Sequence, residues 1–189
     1  MKTLSYHILD IVQNSLNADA DLVEISIRED DKKGLSAIFI NDNGRGMDEE
    51  TLQKAIDPYF STRNERSVGL GLSLLKQNTE RTGGSFAIDS TTGEGTRVKA
   101  EFVKSHIDCP AIGDLAGIIH QIIVSNTGKD FIYRHNKNQL GFEIDSRQIK
   151  EILDHLPLYH PEISKYIDEM IRENLNDLLG EADAVNEFS

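Results

Sequence analysis

Two side chains near the N-terminus have the types and the spacing that could bind a metal ion and move a proton. Asp10 and Asn14 are four residues apart, which on a helix places them on the same face. The amide oxygen of Asn is a suitable hard ligand for Mg²⁺, an ion that keeps several waters and also binds phosphate oxygens. A carboxylate one turn earlier could accept a proton from water or a hydroxyl group. We therefore predict a Mg²⁺ ligand at Asn14 and a candidate general base at Asp10.

A second set of residues could bind the base of a nucleotide. Asp42, Gly44 and Gly46 follow an apolar stretch that reads as a strand. The two glycines allow the backbone to turn tightly and to approach a flat ligand. The carboxylate can accept a hydrogen bond from the exocyclic amino group of adenine. This segment predicts an adenine site.

A third segment has the form of a phosphate site. Gly69, Leu70, Gly71 and Leu72 place two glycines at the start of a predicted helix. Backbone N–H groups and the helix dipole at such a position favour a phosphate group. A fourth segment, 93–96, reads Gly-Glu-Gly-Thr in a predicted turn. Any one of the four segments is weak alone, but their order and spacing suit a split Mg-ATP site.

Taken together, the four segments resemble the GHKL superfamily, which includes DNA gyrase, the MutL repair protein, a major heat-shock chaperone and histidine kinases. Residues 10–20 resemble its N box, and the Asp-x-Gly-x-Gly pattern resembles its G1 box. Residues 57–63, Asp-Pro-Tyr-Phe-Ser-Thr-Arg, resemble the F box of nitrogen-regulatory histidine kinases. Residues 68–76 resemble the G2 box of histidine kinases, and the resemblance covers roughly residues 4–104.

The resemblance implies further roles for individual residues. Thr62 and Arg63 would face the terminal phosphates, and Thr96 would hydrogen-bond near the adenine and Asp42. Asn17, in the N box, joins the ATP-binding set. That set comprises Asn14, Asn17, Asp42, Gly44, Gly46, Thr62, Arg63, Gly69, Leu70, Gly71, Leu72 and Thr96, with Asn14 also a metal ligand and Asp10 the catalytic candidate. The implied cofactors are ATP and Mg²⁺.

Two residues depart from the pattern of the superfamily. The general base of the MutL and gyrase branches is a glutamate, whereas this chain has Asp10, whose carboxylate is about 1.5 Å, one C–C bond, closer to the backbone. Misplacement on that scale can lower a rate on the order of 100-fold, which places hydrolysis in doubt. Arg63 replaces the lysine of the F box; it keeps the positive charge and adds bidentate geometry.

Periodic patterns predict the elements that position these residues. Apolar residues recur at helical spacing or alternate as in half-buried strands. The predicted elements are a helix over 4–18, strands over 23–28 and 35–41, a helix over 48–56 capped by Asp48, a loop over 57–69, a helix over 71–81, and strands over 85–90 and 96–103. We predict an α+β fold, a two-layer α/β sandwich of the Bergerat ATP-binding type, for residues 1–106.

Residues 107–189 resemble no family that we recognise. Their pattern predicts a helix over 115–124, a hairpin of strands 131–135 and 140–144, a helix over 146–156 capped by Ser146, and a helix over 161–179 opened by Pro161. We predict that this part is a second, small domain, an acidic and helix-rich α/β appendage.

Charge and composition narrow the function classes. The chain has 189 residues and a formal net charge of −12. Residues 107–189 contribute most of it, with 7 Lys+Arg against 15 Asp+Glu. This balance offers little for a basic nucleic-acid-binding face. No apolar run approaches the ~18 residues of a membrane span, the N-terminus lacks a signal-peptide pattern, and Cys109 is the one cysteine. We predict a cytoplasmic protein that binds neither nucleic acid nor membrane.

Three functions are compatible with these features. The first is a histidine-kinase-like protein kinase that transfers the γ-phosphate of Mg-ATP to a separate protein, because no phosphoacceptor helices precede the ATP-binding segments. The short segment between the F box and G2 box, 64–68, favours such transfer. The second is a nucleotide-dependent regulatory binding module that resembles anti-sigma-factor serine kinases. The third is an ATPase clamp like MutL.

Overall fold

Pairs of consecutive strands alternate with one or two helices along the chain. The computed structural model describes residues 3–57, 71–154 and 156–187, with side chains described as far as 180. The elements are α1 (Leu4–Asn17), β1 (Leu22–Asp30), β2 (Leu35–Asp42), α2 (Glu49–Ile56), α3 (Gly71–Arg81), β3 (Ser85–Thr91), β4 (Gly95–Val103), α4 (Leu115–Ser125), β5 (Asp130–Lys137), β6 (Leu140–Asp145), α5 (Ser146–Leu153) and α6 (Pro161–Glu187).

The described strands form one six-stranded sheet in the order β3-β4-β2-β1-β5-β6. β1 and β2 pair as an antiparallel hairpin, and β2 pairs with β4 so that Asp42 lies opposite Thr96. This pairing brings two predicted site residues together, although 54 positions separate them. The antiparallel β3–β4 hairpin then extends the sheet beyond β4.

The core lies between one face of the sheet and the helices. Every second residue of β1 points into it: Val23, Ile25 and Ile27 are each at most 2% exposed. The core side of α1 carries Ile8, Ile11 and Val12, which are buried against the sheet and against α3 and α4. The predicted two-layer α+β sandwich is confirmed.

The C-terminal segment contributes to the same sheet. β5 pairs parallel with β1, with Leu22 opposite Asp130, and β6 pairs antiparallel with β5. Helices α4 and α6 pack together beside α1, and their apolar residues belong to the same core cluster as those of α1. The division into two domains stays a prediction, but the strands of both segments are joined edge to edge.

Several local details differ from the predicted boundaries. Asp48 caps α2 as expected, because its carboxylate accepts a hydrogen bond from the Thr51 N–H at 2.8 Å. Asp145, rather than Ser146, caps α5, and that helix ends at Leu153 instead of 156. Helix α6 continues eight residues past 179, to Glu187. None of the described helices is both long and apolar enough to cross a lipid bilayer.

Candidate functional site

Five elements contribute to the wall of a cavity of about 190 Å³ at one end of the sheet. They are the C-terminal half of α1, the loop that follows β2, the first turn of α2, the start of α3 and the first half of β4. Apolar side chains form part of the wall: Ile11, Met47, Leu72 and Val98. The polar part of the wall is supplied by Asn14, Ser15, Asn17, Asp42, Arg45, Thr51 and Thr96. An apolar wall beside a few fixed polar groups suits a flat heterocyclic ring.

Three donors hold the carboxylate of Asp42 in the cavity. Its Oδ1 accepts hydrogen bonds from the backbone N–H of Gly44 at 3.0 Å and from that of Thr96 at 3.2 Å. Its Oδ2 accepts a hydrogen bond from the Ser15 hydroxyl at 2.6 Å. A carboxylate has about four acceptor positions, two on each oxygen. Among the described residues, these bonds therefore occupy both positions on Oδ1 and leave one on Oδ2 for a ligand.

Glycine is required in the loop that follows Asp42. Gly46 has φ +63°, and a Cβ built on it would lie 2.0 Å from the carbonyl oxygen of Thr91. Gly95 of the facing hairpin has φ +104°, and its Cβ would lie 2.0 Å from the carbonyl oxygen of Asp42. No side chain fits at either distance. The loop and the β3–β4 turn therefore touch backbone to backbone, which fixes the position of Asp42.

Arg45 ties the same loop to the end of α1. Its guanidinium donates to the carbonyl of Asn17 at 2.8 Å, and its backbone N–H donates to the carbonyl of Ala18 at 2.8 Å. The carbonyl groups of a last helical turn lack partners within the helix. The guanidinium of Arg45 satisfies one of these carbonyl groups, so its positive charge lies at the C-terminal end of α1.

Asp10, Asn14 and Gly71 converge where α1 meets the start of α3. A Cβ on Gly71 would lie 3.0 Å from the Cβ of Asp10 and 3.8 Å from Nδ2 of Asn14. The two helices approach this closely because residue 71 has no side chain. Both polar residues are half-buried, and of the two only Asn14 lines the cavity.

These residues suit a hard cation. An amide oxygen and a carboxylate beside a helix start are oxygen donors of the kind that Mg²⁺ shares with waters and phosphates. In the described parts of the chain, no cluster of three or more His, Cys, Asp or Glu side chains could hold a metal ion alone. A metal held here would accordingly depend on a ligand for much of its coordination.

The structure brings together most of the predicted site residues that it describes. Asp42, Thr96, Asn14, Asn17 and Leu72 line one cavity, and Gly44 and Gly46 shape its edge. The remaining predictions, at Thr62, Arg63, Gly69 and Leu70, lie outside the described residues.

Sequence reasoning missed three residues that position the site. Ser15 holds Asp42, and Arg45 holds α1. Ser90 accepts a hydrogen bond from the Met47 N–H at 2.9 Å and its hydroxyl lies 2.9 Å from that of Thr96. The sequence offered one signal for Ser15: it is a polar residue on the predicted buried face of the first helix, directly after the predicted ligand Asn14. Nothing in the sequence indicated Ser90.

Two helical histidines hold neighbouring helices together. Nε2 of His7 lies 2.8 Å from Nδ2 of Asn78, which connects α1 to α3. Nε2 of His120 lies 2.9 Å from the Ser164 hydroxyl, which connects α4 to α6. The side chain of His7 is almost fully buried. These positions fit a structural role for both imidazoles.

Comparison with known proteins identifies relatives of the first part of the chain, a little over half of its length. The family described as histidine kinase-, DNA gyrase B- and HSP90-like ATPase matches residues 2–106. The sensor histidine kinase YxdK of Bacillus subtilis is 29% identical over 109 residues, which are 54% of this chain and 33% of that protein. The sensor protein SrrB of Staphylococcus aureus is 35% identical over 78 residues, which are 39% of this chain and 13% of that protein.

A solved structure has a similar fold. The ATPase domain of Aquifex aeolicus MutL, complexed with ADP, superposes with a TM-score of 0.50 at 13% identity, over 81% of this chain and 69% of that one. At that identity the likeness concerns the fold alone. The chain spans a third or less of the length of the two sensor proteins, at 33% and 13%.

Proposed function

Because the chain belongs to the family of histidine kinase-, DNA gyrase B- and HSP90-like ATPases, we propose that it binds Mg-ATP and transfers the γ-phosphate to a separate protein. The nucleotide would lie in the cavity beside Asp42. The transfer would serve regulation or signalling.

The acceptor position that remains on Oδ2 of Asp42 is the observation that carries the proposal. The exocyclic amino group of adenine is a donor that fits it, and the apolar wall formed by Ile11, Met47 and Leu72 would cover the ring. A base with a carbonyl oxygen at the same place would set an acceptor against a carboxylate. A buried site that pairs hydrogen-bond groups in this way rejects mismatched analogues strongly.

Asn14 would hold Mg²⁺, and the metal, when bound, would neutralise charge on the phosphates. Asn14 lines the cavity, and the side-chain-free Gly71 lets the start of α3 approach Asp10 and Asn14 closely. Backbone N–H groups at the start of α3 would bind the phosphate oxygens. We propose that Thr62, Arg63, Gly69 and Leu70 complete the phosphate site.

Calorimetry with two nucleotides tests the base site. Mg-ATP and Mg-ITP differ only along one edge of the base, since ITP has a carbonyl oxygen in place of the amino group of ATP and a proton on the neighbouring N1. We expect Mg-ATP to bind and Mg-ITP to bind about 100-fold more weakly, or about 2.7 kcal/mol. Equal affinity for the two nucleotides would show that Asp42 does not recognise the base.

The metal site is tested by Asn14→Ala, which should abolish the dependence of ATP affinity on Mg²⁺.

The fate of the γ-phosphate is tested separately. Purified protein is incubated with γ-labelled ATP and extract of the source cells, and the label is followed on gels and as free phosphate. Label on a second protein supports transfer. Free phosphate alone, lost in Asp10→Asn, would instead support an ATPase clamp like MutL.

A regulatory binding module that resembles anti-sigma-factor serine kinases is the second candidate. One contact favours it: the backbone carbonyls of Ala111 and Ile112 accept hydrogen bonds from the N–H groups of Leu4 and Ser5, at 2.9 and 3.0 Å. These bonds connect the C-terminal segment to the helix that carries Asp10 and Asn14. A partner that binds only the nucleotide-loaded form, without being labelled, would select this candidate.

A further inference from the structure

A second cavity, of about 370 Å³, lies at the opposite end of the β1–β2 hairpin from the cavity beside Asp42, which we call the nucleotide cavity because of the proposed function. Its floor consists of Glu29 and His135, and its two sides are residues 112–116 and the C-terminal part of α6. We call it the α6 groove. Its side chains include Ile112, Asp114, Leu115, Arg172, Leu175 and Leu179.

Hydrogen bonds immobilise the polar floor of the groove. His135 is 1% exposed; its Nδ1 lies 2.9 Å from the Tyr133 hydroxyl and its Nε2 lies 3.1 Å from Oε1 of Glu29. Lys104 donates to Oε2 of Glu29 at 2.8 Å. Because both imidazole nitrogens are engaged, His135 is a poor candidate for a nucleophile or a metal ligand. The floor therefore suits binding better than catalysis.

The rim of the groove exposes apolar surface. Ile112 is 37% exposed and Leu179 is 40% exposed, on opposite sides of the groove. The buried Leu115 and Leu175 continue this surface inward. Exposed apolar side chains at the mouth of a groove can anchor apolar side chains of a partner.

The charged side chains around the groove carry a small excess of negative charge. Glu29 and Asp114 line it, and Asp168 lies beside it. Two cations pair with these three carboxylates, which therefore exceed them by one: Lys104 contacts Glu29, and Arg172 contacts Asp168 at 2.9 Å and Asp114 at 3.4 Å. Residues 107–189 as a whole carry 7 Lys+Arg against 15 Asp+Glu. A complementary occupant is therefore cationic as well as apolar.

We propose that the α6 groove is a docking site for a segment of a partner protein in which apolar side chains stand beside Lys or Arg. The apolar side chains would pack between Ile112 and Leu179. The cation would lie near Asp114.

Docking in the groove is coupled to the nucleotide cavity. Ile112 belongs to the rim, and its backbone carbonyl accepts the hydrogen bond from Ser5 that completes the N-terminal end of α1. The other end of α1 carries Asn14 and Ser15. A segment that shifts residues 111–113 would thus shift α1, and nucleotide would in turn change the affinity for the segment. This coupling rests on the proposed function, whereas docking does not.

Selection from a phage-displayed library of random 12-residue peptides on the full chain tests the docking site. We expect the recovered peptides to combine apolar residues with Lys or Arg. In fluorescence anisotropy, Leu179→Lys should weaken their binding at least about tenfold, since it removes an anchor and adds a like charge. Ile152→Lys is the matched control, because Ile152 is 83% exposed and lies outside the groove; it should change binding less than about twofold.

Three outcomes overturn the proposal: no enrichment of peptides, recovery of acidic peptides, or equal binding to the parent and to Leu179→Lys. Melting temperatures of all variants show whether each is folded, and Leu179→Ser replaces Leu179→Lys if the latter is not. Saturating Mg-ATP should shift peptide affinity at least about threefold. No shift, with nucleotide binding verified by calorimetry, overturns the coupling and leaves the docking result standing.

Discussion

Two carboxylates at opposite ends of the β1–β2 hairpin have different surroundings. Asp42 accepts hydrogen bonds from two backbone N–H groups and one hydroxyl, none of which carries a charge. Glu29 accepts one from His135 and one from the ammonium group of Lys104. The hydrogen bond from His135, together with Lys104, lowers the pKa of Glu29 to about 2, although burial opposes the shift.

The difference suggests how a carboxylate available to a ligand can be distinguished from one that stabilises the fold. Neutral donors orient Asp42 without neutralising it, and one acceptor position remains for a ligand. The charge of Glu29 is neutralised within the protein. Its partner Lys104 follows β4, and its partner His135 lies on β5, so Glu29 connects the two segments of the chain. Changes at Asp42 should therefore affect ligand affinity, and changes at Glu29 should affect stability.

Asp42→Asn should give the largest effect. The amide would set a donor against the amino group of adenine, so we expect Mg-ATP affinity to fall at least about 100-fold with little loss of stability. Calorimetry measures the affinity. Asp89→Asn makes the same change of charge at an exposed position on β3 and should leave affinity unchanged. An unaltered affinity in Asp42→Asn would show that the carboxylate does not bind the base.

Glu29→Gln should lower the free energy of unfolding by about 2 kcal/mol, because it removes the buried charge that pairs with Lys104 and His135, although Lys104 keeps Asp31 at 2.7 Å. Urea unfolding measures the difference. Glu50→Gln is the control: Glu50 is 79% exposed and pairs with Lys54 on the surface, so its loss should be less than about 0.5 kcal/mol.

The pH dependence of stability can be compared between the parent protein and Glu29→Gln. The pKa of Glu29 in the folded state, about 2, lies below the ordinary value of 4.5. Its contribution is therefore fully present above pH 4.5 and is lost as the pH falls from 4.5 toward 2. The difference in stability between parent and Glu29→Gln should shrink over that window. A constant difference would show that the ionised form is not the source of the stabilisation.

Ser15→Ala should weaken Mg-ATP binding about tenfold, or about 1.4 kcal/mol, because Asp42 loses the hydroxyl that orients its ligand-facing oxygen. Ser15 is 2% exposed, but the change removes one atom and should preserve the fold. Ser125→Ala, at an exposed position of α4, serves as the control. If Ser15→Ala binds as tightly as the parent, backbone donors alone suffice to hold Asp42.

Gly113→Ala should give the smallest effect, a loss of nucleotide affinity of about threefold, through the position of α1. Gly113 has φ +76°, and a Cβ there would lie 2.5 Å from the hydroxyl oxygens of Thr3 and Ser5. Gly34→Ala is matched for backbone strain, with φ +65° and no neighbour within 4 Å of its Cβ. Equal nucleotide affinities of the two variants would show that the contact between the C-terminal segment and α1 does not influence the nucleotide cavity.

Much of the fold and the centre of the site could be predicted because their signals are local. The spacing of Ile8, Ile11 and Val12 predicts the buried face of α1, and Asp48 predicts the start of α2. Asp42 and the glycines after it form a short motif. Boundaries were less accurate: α5 ends at Leu153, and the cap at Asp145 competes with the equally suitable Ser146.

The partners of these residues could not be predicted, because they are distant in sequence. Ser15 and Asp42 are 27 positions apart, and Glu29 and His135 are 106 apart. The parallel pairing of β5 with β1 is equally hidden, since the alternation of a strand identifies its buried face and not its neighbour. The sequence therefore could not indicate that the strands of both segments pair in one sheet, and the division into two domains stays a prediction.

The sequence by itself determined the types of side chain that could bind adenine and Mg²⁺, and the helices and strands that carry them, because periodicity acts over one or two turns. Tertiary structure decided which carboxylate keeps an acceptor position for a ligand and which is neutralised. It also decided that the C-terminal segment completes the first turn of α1. Those outcomes depend on donors brought together by folding, which no pattern of neighbouring residues encodes.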